Sequence, residues 1–455
     1  MGPMESEPKE PAPESVPFGE ALRFWLKLGF ISFGGPAGQI AIMHRELVER
    51  RAWISERRFL HALNYCMLLP GPEATQLATY VGWLMHGVRG GIVAGGLFVL
   101  PSLFILIALS WIYVRFGSVP AIAAVLHGVK PAVVAIVLAA AWRIGTRALR
   151  HEFLWGIAAA AFVALFAYDV PFPAVIAAAA LVGWIGGRVA PRVFAISEHA
   201  AEKASGVPAI LDDDTPTPEH ARFSMRSLVT VIVSFVAIWA AALGALALAC
   251  GMKSDLTLMG WFFTKSAMVT FGGAYAVLPY VLQNAVDTYG WATTPQMIDG
   301  LALGESTPGP LIMIVAYVGF LGGWQHQVLG SDALFLGGVA GACVATFFTF
   351  LPSFLFILAG GPLVERTRDD LKLTAPLTAI SAAVVGVILN LTVYFAWHVL
   401  WPAANAASPF SGGFDYASAA IAIVAAIVLL ARKSEVIPVI AASGAAGLVL
   451  WAAGA

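Results

Sequence analysis

Charge is what this sequence has least of. Only 12% of its 455 residues are Asp, Glu, Lys or Arg, where a soluble domain carries about 25%. Its 26 basic and 27 acidic residues leave a formal charge of −1, so there is no basic field to hold nucleic acid. Cysteine is equally scarce. Cys66, Cys250 and Cys343 stand far apart in apolar surroundings, which excludes a disulfide framework and a thiolate metal site and leaves them as packing residues. No His-Glu-x-x-His or Gly-x-Ser-x-Gly occurs, and His151-Glu152 lacks a second histidine, so neither zinc nor serine hydrolysis is indicated. The expectation is a non-enzyme with no metal and no cofactor. Residues 1–17 are rich in Pro and Glu and have no apolar core behind a basic start. They read as a disordered tail rather than a signal peptide.

What the chain does have is apolar length. Hydrophobic residues make up 59% of it, mean hydropathy is +0.81, and apolar runs repeatedly approach the roughly 20 residues that cross a bilayer. Stretches such as Ala174–Trp184 and Ala419–Leu430 show no alternation, which argues against a β-barrel. The expected class is an all-α polytopic membrane protein.

The chain also repeats itself. Phe33-Gly34-Gly35 recurs as Phe271-Gly272-Gly273, Lys27 as Lys265, Trp53 as Trp291 and Pro70-Gly71-Pro72 as Pro308-Gly309-Pro310, all at an offset of 238. Tyr80-Val81-Gly82 returns at 237 and Leu100-Pro101-Ser102 at 251, the drift of inserted loops. Two homologous halves are therefore expected, an N-terminal repeat over 18–187 and a C-terminal repeat over 251–455. Between them lie a polar linker, 188–226, and a connecting apolar helix, 227–250. Basic residues in short loops mark the cytoplasmic side. Segment 44–58 holds Arg45, Arg50, Arg51, Arg57 and Arg58, whereas its counterpart 282–296 has no Lys or Arg. Arg143, Arg147 and Arg150 likewise have a basic-free counterpart, and the bias reverses at Arg366, Arg368 and Lys372. The halves are expected to be inverted relative to one another, with the linker and the N-terminus cytoplasmic.

If 44–58 and 143–150 share a side, the spans 91–114 and 119–142 already supply two crossings. Residues 59–86 must then enter and return, broken at Pro70-Gly71-Pro72, and 20–44 reads the same way around Gly34-Gly35-Pro36. Broken helices at membrane depth must line a cavity or be buried in protein, and inverted repeats with discontinuous helices are the architecture of secondary transporters. Pro36, Pro72 and Pro310 each follow a Gly and open an apolar stretch. Each break should present a helix N-terminus, which attracts anions. The candidate substrate-binding set is Lys27, Ser32, Gly34, Gly35, Pro70, Gly71, Pro72, Thr75, Gln76, Lys265, Thr270, Gly272, Gly273, Ser306, Thr307, Pro308, Gly309 and Pro310. Ser102 and Ser353 are weaker candidates. Glu73 and Glu305 are the acids to examine for proton coupling. The structural alternatives are kinks at the Pro-Gly-Pro motifs, lysines that snorkel to an interface, and a Glu73 that only complements its helix dipole. Lys130 reads as a helix end; His61, His86 and His127 read as loop or packing residues.

The runs Ser32-Phe33-Gly34-Gly35-Pro36-Ala37-Gly38-Gln39, Met43-His44-Arg45-Glu46-Leu47-Val48 and Leu69-Pro70-Gly71-Pro72-Glu73-Ala74-Thr75-Gln76-Leu77-Ala78 resemble the chromate ion transporter family in its long, two-domain form. The resemblance covers essentially the whole membrane region. It implies export of chromate from the bacterial cytoplasm across the inner membrane, with chromate resistance as the outcome and sulfate as the related oxyanion. The expected partners are chromate or a sulfate-like oxyanion and the lipid bilayer, with a homodimer as a possible assembly and no nucleic acid. The residues alone lead to an anion-favouring transporter, with a passive anion channel or a transporter of sulfate or another oxyanion as the alternatives. The second half departs from the first where Pro36-Ala37-Gly38-Gln39 becomes Ala274-Tyr275-Ala276-Val277 and Glu73 becomes Leu311, so unequal contributions are expected.

Overall fold

The computed structural model describes residues 16–194, 209–212, 215–216, 218–366, 374–404, 408–432 and 435–454. Most of the expected tail and part of the linker, including Asp213 and Asp214, therefore lie outside the described residues. Seventeen α-helices run through the rest, and no strand is present among the described residues beyond one isolated bridge, Ile54 to Leu211. Six helices are long and apolar enough to cross a membrane. This is a polytopic helical membrane protein.

The first half opens with four short segments. Helix α1 (Phe18–Ile31) starts after Pro17 and buries Ala21, Phe24, Trp25 and Leu28, the i, i+3, i+4, i+7 stripe of a one-sided helix. Helix α2 (Gly35–His44) continues as a π-turn over Arg45–Arg50. Helix α3 (Glu56–Leu68) is N-capped by Ser55, whose Oγ accepts the Arg58 N–H. Helix α4 (Glu73–Phe116) is interrupted at His86 and Gly87, where φ of +64° at Gly87 divides it into a short and a long segment. Then follow α5 (Pro120–Ala148), α6 (Glu152–Tyr168), α7 (Phe172–Val189) and a single turn, α8 (Pro191–Phe194).

Helix α9 (Met225–Cys250) buries none of its residues and fills the place expected for the connecting span. After it the first half is repeated. Helix α10 (Asp255–Met268) answers α1, and α11 (Ala274–Gln283) with a π-turn over Asn284–Thr288 answers α2. Helix α12 (Thr294–Glu305) answers α3, and a 3-10 turn over Leu311–Met313 leading into α13 (Ile314–Gln325) answers the short segment of α4. Then α14 (Leu334–Arg366), α15 (Thr374–Leu400), α16 (Tyr416–Ala431) and α17 (Val436–Ala452) answer the long segment of α4 and α5 to α7. The recurrence of a π-turn, a rare feature, at the same place in both halves extends the repeat into segments whose sequences have diverged.

Contacts at the two ends show the path of the short helices. At one end His86 Nε2 lies 2.8 Å from the Val16 carbonyl, and His220 Nε2 lies 2.9 Å from that of Trp83. There also the Ser55 N–H donates to Leu211 O at 3.0 Å. The start of α1, the start of α3 and the end of the short α4 segment therefore share one end, and the two hairpins turn back inside the molecule. At the other end Trp291 Nε1 donates to Asp255 Oδ1 at 2.7 Å, so the second half forms equivalent hairpins from there. In the middle, Gly91 faces Leu358 and Gly95 faces Phe354, so the long segment of α4 and its counterpart α14 run antiparallel.

Two expectations need correction. The linker is not simply a soluble loop: Leu211 and Ala221 are buried, and residues 209–212 hydrogen-bond along 52–55, strapping the linker to the first half. Of the cysteines, only Cys66 is buried; Cys250 and Cys343 are exposed on the outer surface beside apolar side chains such as Leu248 and Phe347.

Candidate functional site

Each half breaks its helices twice, at Ser32–Gly34 and Leu69–Pro72 in the first and at Val269–Gly273 and Ser306–Pro310 in the second. The four breaks meet. The Gly71 N–H donates to Thr270 O at 2.7 Å, and the Gly309 N–H donates to Ser32 O at 2.8 Å. Gly71 corresponds to Gly309 and Ser32 to Thr270, so each half satisfies the other by the same exchanged bond. That reciprocity is what a two-fold relation between the halves produces. The turns need glycine: φ is +123° at Gly71 and +105° at Gly309, where L side chains are strained.

Where the breaks meet, a cavity is lined by Pro36, Gln39, Pro72, Glu73, Ala74, Gly273, Ala274, Pro310, Leu311 and Ile312. Pro36 lies in the first turn of α2, Glu73 and Ala74 in that of α4, Ala274 in that of α11, and Leu311 and Ile312 in the turn before α13. Four helical N-termini thus surround one space. Their free N–H groups and dipoles favour an anion there. Pro72 and Pro310 sit one residue before their helical turns rather than inside them, so the first N–H of each turn belongs to a residue that lines the cavity, Glu73 or Leu311. Its free volume is about 10 Å³, room for one water, so the site is contracted.

The candidate side chains divide. Ser32 and Thr270 are fully buried, but their hydroxyls donate to Leu28 O at 2.6 Å and Ser266 O at 2.7 Å. Ser306 and Thr307 likewise donate to Leu303 O, at 3.0 and 2.6 Å. These four hydroxyls satisfy helix ends and are not free donors. Gln76 Nε2 donates to Pro70 O at 2.8 Å, bracing the first Pro-Gly-Pro turn, while Thr75 Oγ1 and Gln76 Oε1 are buried without partners among the described residues. Gly34, Gly35, Gly272 and Gly273 all take positive φ and form the turns before α2 and α11; of these, Gly273 reaches the cavity. Pro70 and Pro308 close the other turns. Glu305 is buried and accepts a hydrogen bond from Tyr275. Glu73 is partly buried, lines the cavity and has no hydrogen bond or ion pair among the described residues.

Lys27 and Lys265 do not belong to the site. Both are exposed; Lys27 lies off the buried stripe of α1, and Lys265 lies 5.8 Å from the ring centroid of exposed Trp261. Three residues carry more than their sequence context indicated. Gln39 donates to Gly309 O at 2.5 Å and to Ser32 O at 3.4 Å, tying the two breaks together. Ser353 Oγ lies where a Cβ on Gly71 would come within 2.5 Å, and Ser102 Cβ lies where one on Gly309 would come within 2.7 Å. The conspicuous Leu-Pro-Ser repeat was the signal for these serines; the swap between halves was not legible.

Beyond the cavity both ends are tied across the two halves. At the linker end Arg58 Nη2 lies 2.9 Å from Glu365 Oε2, with both side chains almost wholly buried, and Tyr80 donates to Glu365 Oε1 at 2.6 Å. At the other end Lys130 Nζ lies 3.6 Å from Asp299 Oδ2, which also accepts from Tyr113 at 2.9 Å. Lys130 therefore sits inside α5 as an ion-pair partner rather than at its end. No group of three or more His, Cys, Asp or Glu among the described residues could hold a metal.

A family model described as chromate transporter matches residues 19–184 and 257–448, one match in each half. This chain belongs to the chromate transporter family. Its relatives include a chromate transport protein of Pseudomonas aeruginosa, 31% identical over 97% of this chain and 94% of that protein. Another is a chromate transport protein of Cupriavidus metallidurans, 28% identical over 95% and 93%. An uncharacterised transporter of Bacillus subtilis is 34% identical over 26% of this chain and 67% of its own length. No solved structure matches. This chromate transporter family member is thus a membrane transporter rather than an enzyme, and all four helix breaks fall within the two matched regions.

Proposed function

We propose that the protein is a secondary transporter that exports chromate, or a similar tetrahedral oxyanion such as sulfate, from the bacterial cytoplasm and so confers chromate resistance. The observation that carries this reading is the convergence of four helical N-termini on one central cavity, an arrangement that binds an anion without any lysine or arginine in the lining. Export needs no coupled ion: moving a dianion out of a negative cytoplasm releases about 4.6 kcal/mol per 100 mV, roughly a thousandfold gradient.

The two halves are inverted in the membrane. The antiparallel α4 and α14 support this, as does the gathering of Arg58, the linker and Arg366 at one end; Arg58 bonds Asp212 O and Arg366 lies over Phe223. By the basic-residue rule that end is cytoplasmic. A carrier is favoured over a passive channel because the cavity is contracted and ion pairs tie the two halves at both ends.

Everted inner-membrane vesicles test this reading. Labelled chromate should accumulate in vesicles containing the protein and exceed control vesicles severalfold, and unlabelled chromate inside should accelerate entry. In the same vesicles an impermeant thiol reagent should label a cysteine placed within 44–58 but not one within 282–296. Equal accumulation with and without the protein would remove the transport assignment; labelling of both positions would remove the inversion.

A further inference from the structure

The two halves meet at both ends of the molecule through junctions that occupy equivalent places in the repeat but are bonded unequally. At the linker end α3 and the short segment of α4 meet α14, where Arg58 Nη2 lies 2.9 Å from one oxygen of Glu365 and Tyr80 donates to the other at 2.6 Å. At the opposite end their counterparts α12 and α13 meet the long segment of α4. There Tyr113 donates to Asp299 Oδ2 at 2.9 Å, and its ring lies 5.6 Å from that of Tyr317, the repeat of Tyr80. Lys130 of α5 completes this junction, but its Nζ stands 3.6 Å from Asp299 Oδ2, beyond ordinary hydrogen-bond length. Asp299 Oδ1 is buried with no hydrogen-bond partner among the described residues, and a buried acceptor left unpaired is costly. The junction is closed without being fully bonded. It also borders open space. The Lys130 side chain is 27% exposed and lines, with His127 and His398, a second cavity of about 90 Å³, room for several waters where the central cavity holds one. Pro295 and Ile298 at the start of α12 belong to the same lining. Helix α12 ends at Glu305, beside the Ser306–Pro310 break, so the outer cavity and the central break lie at opposite ends of one helix about 18 Å long. Asp299 stands between them.

We propose that Lys130, Asp299 and Tyr113 form the exit gate of the transporter, and that the outer cavity is the vestibule into which the oxyanion is released. This rests on the proposed oxyanion export. A path from the centre along α12 passes the Asp299 carboxylate, which repels an anion in a medium of low dielectric unless its charge is offset. Lys130 supplies the offset. Its ammonium carries three rotatable donors on a flexible stem, so it can turn from Asp299 to a passing oxyanion and return when the anion has left. Tyr113 keeps its hydrogen bond to Asp299 meanwhile, so the carboxylate is not stranded while the gate is open. The loose contact of 3.6 Å suits a pair that must part at each turnover, and the space beside Lys130 gives the ammonium somewhere to go.

The test is labelled chromate flux in proteoliposomes of the purified full chain. In K130C/D299C, made with C250S and C343S so that the exposed native thiols are absent, a bifunctional methanethiosulfonate reagent should stop the flux by bridging positions 130 and 299, and a reductant should restore it. K130R supplies an independent measurement. A guanidinium can bind the Asp299 carboxylate through two hydrogen bonds, so the gate should open more slowly: kcat should fall about tenfold, the effect of one added charge-assisted hydrogen bond on the barrier, with KM nearly unchanged. A pair that only holds the fold together would gain Tm from the arginine without slowing turnover. Cross-linked protein that transports as fast as its reduced form overturns the proposal, as does a wild-type kcat in K130R. Should the double-cysteine protein fail to accumulate, K130R decides alone; absence of chromate flux in the wild-type chain would instead overturn the export on which the gate rests.

Discussion

At the scale of single residues, Gly71 and Gly309 hold the two exchanged hydrogen bonds and have no room for a side chain. A Cβ on Gly71 would lie 2.5 Å from Ser353 Oγ and 2.8 Å from Gln76 Nε2, and one on Gly309 would lie 2.7 Å from Ser102 Cβ. G71A and G309A should each lose about 1–3 kcal/mol to overlap and left-handed strain, read as a lowered Tm in detergent, with chromate flux falling in parallel. Adding S353G to G71A should relieve the overlap with Ser353 but neither the contact with Gln76 nor the strain. A G71A protein that melts and transports like wild type would contradict this account. The need for glycine was legible in the repeated Pro-Gly-Pro; its reason, a serine from the other half, was not, because no single sequence shows a contact made across a pseudo-two-fold. The lysines failed for a legible cause: Lys27 falls between Trp25 and Leu28 but outside their stripe, on the outward face of α1.

At the scale of elements, the molecule is held by ties between long helices and opposite hairpins. Arg58 on α3 and Glu365 on α14 form a buried ion pair, and loss of one partner strands the other charge in a site with little water. R58A should therefore cost about 3–5 kcal/mol, whereas the double variant R58M/E365L should be less destabilised than either single change. Thermal unfolding of the four proteins measures the coupling, and additive single effects would show the pair to be unimportant. The hairpins were legible from charge parity alone: the need for an even number of crossings between 44–58 and 143–150 required 59–86 to return, and α3 with the short α4 segment does so. The strapping of the linker was not legible, since residues 209–212 are held by backbone hydrogen bonds to 52–55, which leave no mark in composition.

At the scale of the whole molecule, one repeated unit has been used twice and then made unequal. The equivalent π-turns, hairpins and exchanged glycine bonds preserve the architecture, while Gln39, Glu73 and Gln76 have no polar counterparts in Val277, Leu311 and Ile314. The fold is shared between the halves, and the polar side chains that line the cavity, Gln39 and Glu73, come from one of them. The second half contributes two of the four helical N-termini around the cavity. A separate cavity of about 90 Å³ lies at the far end, with His127, Lys130 and His398 in its lining, and there Lys130 and His127 are already paired with Asp299 and Asp415. Crystals grown with chromate and measured at the chromium absorption edge discriminate between the two directly. The account predicts a dominant anomalous peak bounded by Pro36, Glu73, Ala274 and Leu311, within hydrogen-bond reach of the first-turn N–H groups; a peak beside His127 and Lys130 with the central cavity empty would contradict it.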